Sequence, residues 1–284
     1  MTVETIDLYD YFKLPRCGAE KGILTAYCHG QLTELQVKKR RAAMLVFPGG
    51  GYAGVSQREA EPVALRYFAD GFDAFVLDYD VAPKHYPLQI LQAGMAMLYI
   101  RREAGARCID DKHIAAVGFS AGGHLCGCVS FLWDDPALVQ AFGAEECEKI
   151  RPDAALLSYP VITFDERYRH YDSFVNFCGD AVKKEDYSLE KRIRPSVPPC
   201  FIWANTPDGA VPPENSVLLY SALRRAGVPA ELHIFEQGWH GMSLCNGEVE
   251  PEDVNDAVRA HVSHWIGLSV EFLRAHGFDT VTVK

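Results

Sequence analysis

Gly118-x-Ser120-x-Gly122, in "IAAVGFSAGGHLCG", sets a serine between an apolar run and the start of a Gly/Ala-rich helical stretch. A nucleophilic serine at a strand end needs a strained, very tight turn, and only small residues two positions before and after it avoid collision there. The helix that follows would aim its free N–H groups at the same point, favouring negative charge. The hydroxyl needs a base to take its proton, and the base needs a carboxylate to hold its tautomer. Of the histidines beyond Ser120, His240 is the expected base: "FEQGWHGMS" puts it just after a predicted strand, in a loop with Gly238 and Gly241. His233 falls inside that strand, His124 in the helix behind the serine, where packing is its expected role, and His261 and His264 on a C-terminal helix. Asp208, in "FIWANTPDGAVPPENS", is the expected acid, in a turn stiffened by Pro207, Gly209 and Pro212, with Glu236 in reserve. An aspartate in such a turn also caps its own backbone.

A second stretch, "LVFPGGGYAGVS", carries Gly49-x-Gly51-x-x-Gly54 after an apolar run, with Asp78 farther on. That spacing matches a dinucleotide-binding turn. Such a turn must start its helix inside the glycine fingerprint, so that the helix amino end meets pyrophosphate. Here the first helix signal comes later, at a Ser56-x-x-Glu59 capping box, with Pro62 near the helix start. The glycines therefore form a loop ahead of the helix, suited to an oxyanion rather than a cofactor, and no cofactor or metal is expected.

The elements that must position these residues alternate. Predicted strands are Ile23–Cys28, Ala42–Phe47, Ala74–Tyr79, Ile114–Phe119, Ala154–Tyr159, Cys200–Asn205 and Glu231–Glu236. Helical patterns fill Gln57–Ala69, Leu88–Ala104, Ala121–Phe131, Glu214–Ala226 and Val254–Ala275, with Gly71, Gly105 and Gly227 at expected helix ends. The pattern is that of a mostly parallel sheet covered on both faces. Between about residues 161 and 199 the chain turns polar, aromatic and charged, closed by Pro195, Pro198 and Pro199. It reads as a small cap or lid insertion over the carboxyl edge of the sheet, or as a plain surface excursion. The 284 residues suit one large α/β domain.

A net charge of −10 leaves no basic surplus for nucleic acid or an anionic membrane. The nine cysteines include no C-x-x-C pair, which points to neither a zinc ribbon nor a disulfide framework. With no visible signal segment and no membrane-length apolar run, a cytoplasmic location is expected. A homo-oligomer is compatible with the sequence.

Ser120, Asp208 and His240, in this order on an alternating chain, make the sequence resemble an α/β-hydrolase. More narrowly, it is similar to bacterial acetyl-xylan and other carbohydrate acetyl esterases and to small carboxylesterases. The matching segments are "PGGGYAGVSQREAEPVAL", "AFVLDYDVAP", "GFSAGGHL", "LSYPVI", "VPPENSVLLYSAL" and "ELHIFEQGWHG". The resemblance implies an α/β-hydrolase fold with about eight strands. It implies Ser120 as nucleophile, His240 as base, Asp208 as its partner, and the amides of Gly50, Gly51 and Ala121 as the oxyanion hole. Pro48 stands where many relatives have His, which changes how the loop is braced, and Ala204-Asn205-Thr206 where many have His-Thr-Ala.

The expected activity is that of a serine esterase acting on a small-molecule ester, with short acyl groups preferred and an acetylated sugar or other small alcohol as substrate. Tyr52 and Trp239 flank catalytic positions and are substrate-pocket candidates that could stack against a sugar ring, or equally serve as wall packing. The alternatives are an amide-directed hydrolase of the same fold (an aryl formamidase or peptidase-like enzyme), a catalytically silent ligand-binding relative, and the dinucleotide-binding oxidoreductase.

Overall fold

The computed structural model describes residues 1–16, 18–250 and 255–283. Among the described residues, nine strands form one mixed sheet: β1 Thr2–Asp7, β2 Ile23–Cys28, β3 Lys38–Phe47, β4 Asp73–Asp78, β5 Ile109–Phe119, β6 Ala154–Ser158, β7 Cys200–Asn205, β8 Ala230–Phe235 and β9 Val281–Val283. The spatial order is β1-β2-β4-β3-β5-β6-β7-β8, with β9 paired to the start of β3. From β4 to β8 every pairing is parallel, whereas β1–β2, β2–β4 and β3–β9 are antiparallel.

The helices are α1 Leu8–Phe12, α2 Glu61–Ala69, α3 Leu88–Arg107, α4 Ala121–Phe131 and α5 Pro136–Phe142 in the first half. They continue as α6 Ala144–Cys147, α7 Tyr171–Cys178, α8 Glu214–Arg225, α9 Asp256–Val262 and α10 His264–Ala275. Central strands covered on both faces must be apolar throughout, and their side chains must alternate between two cores. On β3, Ala43, Leu45 and Phe47 join α3, α4 and α8 on one side. Ala42, Met44 and Val46 join α2, α9 and α10 on the other. Trp203 of β7 and Trp265 of α10 stack at 5.0 Å in that second core.

Several expectations need correction. Gly105 lies inside α3, not at its end: the helix runs on to Arg107, and Cys108 takes the left-handed cap at φ 58°. Arg107 anchors this extra turn by donating to Tyr99 Oη and to the Glu4 carboxylate. Residues 57–69 split into a short 3-10 turn, Gln57–Glu59, followed by α2. The C-terminal helix divides at Ser263, and its expected start at Val254 lies outside the described residues. The segment between β6 and β7 holds α7 and two 3-10 turns. Phe174, Phe177, Tyr187 and Leu189 of this segment are buried in the same core as β3 and α4.

Candidate active site

Parallel strands deliver the chain that follows each of them to one sheet edge. Pro48–Gly51 follow β3, Ser120 follows β5, Tyr159 follows β6, Asp208 lies just past β7, and His240 lies past β8. Ser120 occupies the turn between β5 and α4 at φ 54°, ψ −120°, a conformation an L-residue adopts only under constraint. The constraint is packing. A Cβ on Gly122 would stand 2.2 Å from Phe47 O and 2.3 Å from Pro48 O, and one on Gly118 would stand 2.3 Å from Gly122 O. The serine turn therefore rests directly against the end of β3.

His240 brings its Nε2 to 2.8 Å from Ser120 Oγ and its Nδ1 to 2.7 Å from Asp208 Oδ2. Asp208 is buried, and its other oxygen accepts the Ala210 and Val211 amides at 2.9 Å each. A carboxylate that can only accept assigns the proton to His240 Nδ1, which leaves Nε2 free to accept from the serine hydroxyl. Glu236, the reserve acid, is exposed at the end of β8. The loop carrying His240 has Gly238 at φ 123° and Gly241 at φ 77°. Asn205, at the end of β7, holds this loop by donating to Trp239 O at 2.8 Å.

The glycine loop is braced by groups whose part here the sequence did not reveal. Glu59 is buried and accepts from Gly49 N–H at 2.8 Å and from Tyr159 O–H at 2.7 Å. It thus does not serve the capping box: Ser56 makes no side-chain cap bond. Tyr79 O–H donates to Pro48 O at 2.5 Å. Tyr159 also accepts from Ser243 N–H at 3.0 Å, and its ring meets the His240 ring edge-on at 5.0 Å. Burial, and then the Glu59 carboxylate, hold the Tyr159 phenol well above its ordinary range, so it stays a donor. With Gly49 engaged, the amides of Gly50, Gly51 and Ala121 donate to no acceptor in the chain among the described residues. The available signal for Glu59 was Pro48, which left the loop in need of another brace.

Tyr52 is not open to a substrate, which corrects its reading as a sugar-stacking pocket residue and leaves packing as its place. Its ring is fully buried, and its hydroxyl donates to His124 Nδ1 at 2.9 Å, while His124 Nε2 donates to Tyr187 O at 3.0 Å. Trp239 is half-buried beside His240. His233 pairs with Glu231, and the His261 and His264 rings meet edge-on at 6.1 Å. No described helix is long and apolar enough to cross a membrane.

Residues 33–223 match the BD-FAE family. The chain belongs to that family. It is 38% identical over 223 residues to endo-1,4-beta-xylanase B of Butyrivibrio fibrisolvens, covering 74% of this chain and 34% of that protein. It is 30% identical to the acetylxylan esterase of Xylanibacter ruminicola, covering 71% of this chain and 41% of that one. The chain thus spans between a third and half of the length of these two relatives. The acetyl ester-xyloside bifunctional hydrolase of Caldicellulosiruptor lactoaceticus superposes with a TM-score of 0.80 at 31% identity, over 97% of both chains. The fold is that of the α/β-hydrolases.

Proposed function

We propose that this BD-FAE chain is a serine esterase that removes a short acyl group, acetyl first among them, from a sugar or other small alcohol. The observation that carries the reading is the unbroken relay from Ser120 Oγ through His240 to Asp208, at 2.8 and 2.7 Å. Its similarity to an acetylxylan esterase and to an acetyl ester-xyloside bifunctional hydrolase supports the acetyl preference.

Ser120 Oγ attacks the ester carbonyl carbon as its proton passes to His240 Nε2. The carbonyl oxygen becomes an oxyanion, which accepts from the Gly50, Gly51 and Ala121 amides, a type of contribution worth about 3–4 kcal/mol per donor. The C–O bond to the alcohol then breaks, and His240 returns its proton to the leaving oxygen. Water repeats the sequence on the acyl-serine and releases the acid. Asp208 stays ionised and steadies the imidazolium.

Ser120→Ala tests the reading. It is expected to lower kcat on p-nitrophenyl acetate by about a thousandfold or more and to abolish labelling by a fluorophosphonate probe. Wild-type hydrolysis by this variant sinks the reading.

A further inference from the structure

His170 belongs to the segment between β6 and β7, and nothing in the relay uses it. It is the N-cap of α7, accepting from Ser173 N–H at 3.4 Å through Nδ1, with Ser173 Oγ at 2.8 Å from the same nitrogen. A backbone N–H can only donate, so Nδ1 is the acceptor and the ring proton sits on Nε2. Histidine is not among the residues that cap helices best. Its second nitrogen therefore invites a separate explanation.

The position supplies one. His170 Cε1 lies 4.0 Å from where a Cβ on Gly51 would stand. Asn176, later in α7, donates to Gly51 O at 3.0 Å and fixes the helix to the glycine loop. The ring is half-buried, and Nε2–H meets no acceptor in the chain among the described residues. A half-buried donor with no protein partner is matched by water or by a ligand. Burial, and then the nearby His240, push the His170 ring below the usual imidazole range, against the weaker pull of Asp172 and Asp208. The ring is thus neutral near pH 7 and carries a single donor.

The leaving oxygen must come within reach of His240 Nε2 to take up its proton, so the alcohol half of a bound ester lies on the His240 side of Ser120. His170 packs beside Gly51, in the loop whose Gly49 lies so close to the serine that a Cβ there would stand 3.0 Å from Ser120 Cβ. From this placement we infer that His170 Nε2–H donates a hydrogen bond to an oxygen of the alcohol half, selecting hydroxylated alcohols over plain alkyl ones. The inference rests on the esterase reading and deepens it: His170 is a specificity-determining residue, distinct from the relay.

Glycerol monoacetate and propyl acetate share a carbon skeleton and differ in hydroxyls, so the ratio of their kcat/KM values isolates the contact. Wild type is expected to favour the glycerol ester. In His170→Asn, the shorter amide keeps a good helix cap but does not reach the alcohol, and the ratio falls about three- to tenfold, the worth of one hydrogen bond, with the loss in KM. His170→Gln, whose amide reaches where Nε2 stood, recovers part of the ratio. A wild-type ratio near one, or a His170→Asn ratio equal to that of wild type, overturns the inference. Equal losses on both esters mean that His170 only caps α7, and overturn it too. Ser120→Ala active on both esters instead marks failure of the esterase reading itself.

Discussion

Glu59 is a carboxylate taken out of water, which is tolerable only when donors replace the lost hydration. Gly49 N–H and Tyr159 O–H are those donors, and Tyr159 in turn holds Ser243 and lies against His240. One buried side chain therefore ties the loop that offers amides to the ring that moves the proton. Glu59→Gln presents an NH2 group to one of the two donors and breaks that match. Leaving a buried group unpaired costs about 1–3 kcal/mol, so kcat/KM on p-nitrophenyl acetate is expected to fall about tenfold to a hundredfold, in kcat more than in KM. The fold persists by circular dichroism. A variant with wild-type kcat removes Glu59 from any positioning role. Ser120, Asp208 and His240 are legible because each combines a reactive type with a turn after a predicted strand. Glu59 is not, since its spacing from Ser56 imitates a capping box and nothing local reveals that its carboxylate faces inward.

At the scale of elements, glycine positions separate into those that permit contact and those that merely interrupt a pattern. Gly122 permits it: a Cβ there meets the Phe47 and Pro48 carbonyls, which are backbone and have nowhere to go. Gly122→Ala is expected to cost about 3 kcal/mol or more, read as a lowered urea midpoint, and to lose activity by displacing the glycine loop. Gly105 is the contrast. It is exposed inside α3, and nothing lies within 4 Å of a Cβ there. Gly105→Ala is expected to stabilise by about 0.5–1 kcal/mol, because alanine loses less backbone freedom in a helix. A destabilised Gly105→Ala contradicts the continuation of α3 to Arg107. The parallel central strands are legible because burial on both faces makes them uniformly apolar, and the bounds of β7 agree with those expected, as do those of the antiparallel β2. β1 and β9 are not. β1 is an edge strand in which four of six residues are exposed, and β9 has three residues. The charged start of β3, Lys38–Arg41, hides for the same reason: the first three of these residues are held by pairing with β9 rather than by burial.

The molecule as a whole is joined at His124. Its ring lies between Tyr52 of the glycine loop and Tyr187 of the segment before β7, on α4, which directly follows Ser120. Full burial pushes this imidazole down from its ordinary 6.5 to about 4, against the smaller opposing effect of the Tyr187 carbonyl. The folded protein therefore binds this proton later than the unfolded chain as pH falls. Stability is complete above about pH 6.5 and is lost progressively down to about pH 4, a total of about 3 kcal/mol from this residue. His170, lowered mainly by burial, has the same sign. The lowered carboxylates Asp7, Asp110, Asp134, Glu146 and Asp165 lose their contribution only nearer pH 4 or below, while Asp153 and Glu250, raised by burial, work the other way. The window between pH 7 and pH 5 thus belongs mainly to histidines. Urea unfolding at those two values is expected to show a loss of about 2 kcal/mol attributable to His124. In His124→Gln the protein is weaker at both values, but that part of the difference between them disappears, while His170→Asn leaves it in place. A His124→Gln protein with the wild-type difference places the acid-sensitive group elsewhere.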